Sequence, residues 1–104
     1  MNKRLEMLEK MVSSPNADSF ARYALAMEYR KLGRSADALR AFEQLRERDG
    51  DYLPQYLMAG QLLLQEGRRD EARAWLEQGI AVARRQGNGQ ALGELESALA
   101  EATE

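Results

Sequence analysis

The chain contains neither cysteine nor histidine. Without cysteine there is no disulfide framework and no thiol chemistry. Without histidine the commonest general base and the commonest metal ligand are both missing. Two prolines and eight glycines leave little to interrupt regular structure. Valine occurs twice and isoleucine once, so strand-favouring residues are scarce. Apolar runs last only a few residues, far short of a membrane span. The opening Met1-Asn2-Lys3-Arg4-Leu5-Glu6 is too charged for a signal peptide. The 15 basic and 17 acidic residues are interspersed and give a net charge of −2, so no basic field addresses nucleic acid or an anionic membrane. These absences lead us to expect a cytoplasmic protein with no metal, no cofactor, no nucleic-acid partner and no membrane partner.

What is present favours helix. Apolar residues make up 44% of the 104 residues, and Ala, Leu, Glu, Arg and Gln dominate. The expectation is one all-α domain over residues 1–104. A first amphipathic helix is predicted over residues 3–12, with Leu5, Leu8, Met11 and Val12 on one face and Met7 off it. Asn16 or Asp18 is placed to cap a second helix running to about Leu32, whose inward stripe is Leu25, Ala26, Tyr29 and Leu32. Gly33 closes it. Ser35 is the expected cap of a third helix to about Arg48, with Ala38, Phe42 and Leu45 inward. Asp51 is the expected cap of a fourth helix to about Glu66, with Pro54 tolerated in the first turn. The fifth runs from about Arg69 to Arg85 with Ala72, Leu76, Ile80 and Ala83 inward. A last helix over residues 90–102 groups Ala91, Leu92, Leu95, Ala98, Leu99 and Ala102, and carries Glu94, Glu96 and Glu101 with no cation.

The chain repeats itself. Residues 19–52 laid over 53–86 give five identities: Gly33/Gly67, Arg34/Arg68, Ala38/Ala72, Glu43/Glu77 and Gln44/Gln78. The glycine allows a tight turn, and the alanine five residues later lets two helices lie close. The first copy reads Arg22-x2-Leu25-Ala26-x2-Tyr29, then Ala38-x3-Phe42. The second reads Tyr56-x2-Ala59-Gly60-x2-Leu63, then Ala72-x3-Leu76. This pattern and its period resemble the tetratricopeptide repeat. Arg22 stands where that pattern has an aromatic, and the proline that usually ends a repeat is missing after Arg48 and after Ala83. The resemblance implies an α-α superhelix, a solenoid of two full repeats (19–52 and 53–86) with an N-terminal flanking helix and a C-terminal capping helix. The last helix fits the repeat stripe with one residue inserted near Gly87-Asn88-Gly89, which turns Leu92 and Leu99 toward the groove or a neighbour.

The resemblance also implies a function: a protein-binding scaffold whose concave groove, lined by the first helix of each pair, takes a peptide or helix of a partner. Carried over by position, the groove residues are Phe20, Tyr23, Ala24, Met27, Arg30 and Lys31, then Leu57, Met58, Gln61, Leu64 and Gln65. An adaptable Met and aromatic lining suits an apolar anchor. The family's grip on a chaperone's C-terminal carboxylate uses lysine and asparagine where Tyr23 and Met27 stand, so that activity is not expected. A second reading is a self-assembling unit, in which Lys3, Arg4 and Lys10 of the first helix meet the acidic last helix of another copy. Acids such as Asp37, Asp70 and Glu71 sit at helix starts, where they suit the dipole. Arg68-Arg69 reads as a solvated turn. Trp75 lies beside the core stripe and is expected to be core; exposed, it would anchor a partner. There is no phosphate loop, nucleophile elbow or metal-ligand spacing, so no enzyme is expected.

Overall fold

The computed structural model describes residues 2–104, as six α-helices with no strand among them. Two compact units divide the chain, Met1–Tyr52 and Leu53–Glu104. The first holds α1 (Lys3–Val12), α2 (Ser19–Lys31) and α3 (Ser35–Arg48). The second holds α4 (Pro54–Gln65), α5 (Arg69–Gln86) and α6 (Gly89–Ala102).

In the first unit Asn2 and Asp18 cap α1 and α2, their side chains accepting from Leu5 N–H and Ala21 N–H. The turn after α2 is closed by Gly33 at φ +75°, a left-handed conformation that costs a side-chain-bearing residue energy. Gly33 N–H bonds to Arg30 C=O and Arg34 N–H to Tyr29 C=O at 2.9 Å, satisfying carbonyls the helix would leave bare. α2 and α3 pack through Ala26, Ala38, Phe42 and Leu45, none of them exposed. Ser19 Oγ donates to Asp49 Oδ2 at 2.5 Å, tying the start of α2 to the residue after α3. α1 packs on α2 through Leu5, Leu8 and Leu25, with Val12 and Tyr29 beside them.

The second unit repeats this plan. Gly67, also at φ +75°, ends α4, and Arg68 N–H bonds to Leu63 C=O at 2.9 Å. The α5 stripe of Ala72, Leu76, Ile80 and Ala83 is buried. Helix α6 packs on α5 and α4 through Leu95, Ala98 and Ala102, and Asn88 caps it by accepting from Ala91 N–H. Backbones approach closely at two glycines. A Cβ on Gly60 would lie 2.5 Å from Leu76 Cδ2, and one on Gly79 would lie 2.5 Å from Tyr56 Cβ.

Several side chains depart from the sequence expectation. Ser35 does not cap α3: Arg34 holds the cap position, with no side-chain cap bond, because the Gly33 closure ends there. Asp51 does not cap α4 either; Leu53 precedes Pro54, which takes the first helical position, where its missing N–H costs nothing. Leu32 follows the last helical residue of α2 and is 42% exposed. Met11 is 47% exposed, because successive helical residues are turned by about 100° and Leu5, Leu8 and Val12 already claim the side facing α2.

Candidate protein-interaction face

On α2 the side chains at 20, 23, 24, 27 and 31 lie on one side, the spacing of a helical stripe. Phe20, Tyr23, Ala24, Met27 and Lys31 line one open cleft of about 530 Å³, with Arg4 from α1 and Glu28. Phe20 is 68% exposed, the most exposed large apolar side chain among the described residues. Tyr23 is held in place by aromatic neighbours: its ring centre lies 6.3 Å from Phe42, edge-on, and 5.4 Å from Tyr52. Burial, and then the neighbouring Tyr52, push the Tyr23 hydroxyl above the ordinary tyrosine value, with Arg30 opposing. At neutral pH it is therefore a neutral donor beside a cation.

Arg4 and Glu28 form one wall. The Arg4 Nε–Glu28 Oε1 distance is 3.0 Å, Asn2 Nδ2 donates to the other carboxylate oxygen, and the Glu28 side chain is only 7% exposed. Sequence reading placed neither residue in this cleft. The available signal was a carboxylate interrupting the apolar side of α2 next to Met27, which needs a cation from another helix. Arg30 is half-buried and does not line this cleft. On α4, Leu57, Met58, Gln61 and Leu64 are half-exposed and Gln65 is exposed.

The other residues weighed from sequence have structural partners. Arg22, at the aromatic position of the motif, is buried; it donates to Ser14 C=O at 3.4 Å, and burial, then Arg48, lower its pKa. Asp37 bridges Arg34 at 2.9 Å and Arg40 at 2.7 Å, and these bonds hold its carboxyl below the usual range. Glu71 is held low by Arg68 at 2.6 Å. Carboxyls kept ionised in this way are ion-pair partners, poorly suited to carrying protons. Trp75 is 4% exposed, and its ring centre lies 5.9 Å from that of Tyr56. Among the described residues no cluster of acidic, cysteine or histidine side chains has metal-holding geometry, and no helix is long and apolar enough to cross a membrane.

The tetratricopeptide-repeat family profile matches residues 29–95, well over half of the chain. The chain belongs to the tetratricopeptide-repeat family. A tetratricopeptide repeat domain protein from Salinibacter ruber, solved in solution, is 40% identical, with 86% of this chain and 90% of that chain covered and a TM-score of 0.78. A protein from Bordetella parapertussis is 26% identical over 99% of this chain and 90% of that one, with a TM-score of 0.83. PcrH from Pseudomonas aeruginosa, at 18% identity, shares the fold alone, with a TM-score of 0.87 and 96% and 76% of the two chains covered. The comparison with curated proteins finds no match. Repeats of this family mediate protein–protein interaction and are in general a non-catalytic adaptor fold.

Proposed function

We propose that this chain is a binding module that holds a segment of a partner protein on the groove-lining positions of its repeats. Those positions are Phe20, Tyr23, Met27, Arg30 and Lys31 of α2 and Leu57, Gln61, Leu64 and Gln65 of α4. The observation that carries the reading is the α2 cleft, where Phe20, Tyr23 and Met27 stand together and the Phe20 ring is left 68% exposed. An exposed ring costs solubility, and a partner's apolar side chain would remove it from water at roughly 25 cal/mol per Å². Lys31 at the same cleft favours an acidic residue beside that apolar anchor.

The test is selection from a displayed peptide library, followed by titration of the selected peptides against wild type and Tyr23→Glu/Met27→Glu, both checked for helical circular dichroism. Enrichment of peptides with an apolar anchor next to an acid, with affinity lost by at least tenfold in the folded variant, is expected. Peptides that bind both proteins equally would show that the α2 face is not the binding surface.

A further inference from the structure

The second helices α3 and α5 lie 34 residues apart, and Ala41 and Leu45 of α3 fall on Trp75 and Gly79 of α5. All four residues are buried. In α5 this row faces the first helix of its own pair: the Trp75 ring lies 5.9 Å from Tyr56, and a Cβ at Gly79 would meet Tyr56 Cβ. One period earlier the same two places fall on Met7 and Met11 of α1, which are 51% and 47% exposed. Burial fixes this register, because Leu5 and Leu8 then fall on Leu39 and Phe42, all four buried. Helix α1 is thus built as a second helix, and among the described residues no first helix covers its row.

Helix α6 presents the opposite case. The first helix α4 turns Tyr56 and Gly60 toward α5. These places and Leu63 fall, 36 residues on, on Leu92, Glu96 and Leu99 of α6, one residue further along than the single insertion expected from the repeat. In that register Ala59 and Leu62 fall on Leu95 and Ala98, all four buried, while Leu92 and Leu99 are half-exposed. Beside them an open cleft of about 510 Å³ between α5 and α6 is lined by Ile80 and Leu99, with Glu77 and Glu96 at its edge. Arg84 also lines it, 3.6 Å from Glu96.

We propose that α1 of one copy docks against α6 of another, with Met7 and Met11 on Leu92 and Leu99, so that each of these exposed rows gains a facing helix in trans. Charge favours this occupant over other helices. Lys3, Arg4 and Lys10 border the methionine row, and Glu77 and Glu96 edge the cleft beside Leu99. The contact is heterologous: each docked copy still offers one α1 and one α6, so copies add head to tail into a ring or an open chain.

The test is sedimentation velocity on the full chain over a wide concentration range. Average mass is expected to rise with concentration and to fall with added salt, which screens the rim charges. Met7→Glu/Met11→Glu should stay at monomer mass with unchanged helical circular dichroism. Lys3→Glu/Lys10→Glu and Glu77→Lys/Glu96→Lys should each associate at least tenfold more weakly alone and recover when mixed. A folded wild type that is monomeric at every concentration overturns the proposal, as does a charge-reversed pair that fails to recover. Association that survives Leu99→Glu would mean that the methionine row meets something other than α6, and overturns it as well.

Discussion

Residues 41 and 45 of the first repeat and 75 and 79 of the second show how one architecture tolerates different side chains. Where α3 has small Ala41 and large Leu45, α5 has large Trp75 and no side chain at Gly79. The volume has moved by one helical turn, and both solutions leave the row buried. Trp75→Ala should therefore lower stability by about 3–5 kcal/mol, measured by urea denaturation, since no neighbour fills the space of an indole. Gly79→Ala sets two effects against each other. Helix propensity favours alanine by about 1 kcal/mol, but the new methyl would lie 2.5 Å from Tyr56 Cβ, which sits close to the backbone and cannot swing away. Overpacking costs about 1–3 kcal/mol, so a lower Tm is expected; a higher one would show that α4 and α5 can separate freely. Tyr29 supplies a pH effect. Burial, then its 2.5 Å hydrogen bond to Glu9, push its hydroxyl up to about 12. The fold thus prefers the neutral phenol, so this contribution is complete below the unfolded value near 10 and is lost as pH rises from there toward 12. Denaturation across that window should show a decline that Tyr29→Phe reduces.

At the level of the helix, the shared Gly-Arg dipeptides at 33–34 and 67–68 do two jobs. The glycine closes the first helix in the left-handed conformation. The arginine, at the cap of the next helix, reaches the acid three residues on: Arg34 to Asp37, Arg68 to Glu71. That accounts for the recurrence of arginine beside the invariant turn, with no phosphate site needed. Replacing Gly33 or Gly67 with alanine forces a side chain into positive φ, and about 1–2 kcal/mol of destabilisation is expected in a urea titration. Nothing but open space surrounds either glycine, so this cost is conformational and not steric crowding. The exposed clasps matter in acid. Asp37 and Glu71 are held below their ordinary values, so their contribution is present above those values and disappears as pH falls through the lowered ones. Asp37→Asn should flatten part of the acid limb of a stability–pH curve; an unchanged limb would show that the clasp contributes nothing.

Across the whole molecule, helices pack on their sequence neighbours: α1 on α2, α2 on α3, α4 on α5, α5 on α6. Such contacts close only short loops, so little chain entropy is lost before they form. Folding is therefore expected in microseconds to milliseconds, as for other helical proteins with local contacts. Stopped-flow refolding dominated by a phase of seconds would contradict that view. Charge is distributed unevenly along the chain: residues after Arg85 include no cation, whereas α1 alone carries three. At a net charge of only −2 this asymmetry is free to guide association, because overall repulsion between copies is weak.

The repeat and its chemistry are local, and the sequence alone determined them. Helix stripes follow from a period of 3.6 residues. The turns follow from Gly33 and Gly67, and the close packing of each pair from Ala38 and Ala72 standing at equivalent places. Family membership follows from that period. Tertiary structure alone decided which side of a helix has a partner. Met11 lies on the edge of an apolar stripe that reads as core, yet it is exposed, because α1 packs on α2 through Leu5 and Leu8 and turns Met11 away from that contact. Leu32 fits the stripe of α2 and falls just past its end. Arg22 and Glu28 are charged yet buried, made tolerable by Ser14 in one case and Arg4 in the other. Periodicity fixes which residues share a face of one helix, whereas burial depends on what another helix brings to that face.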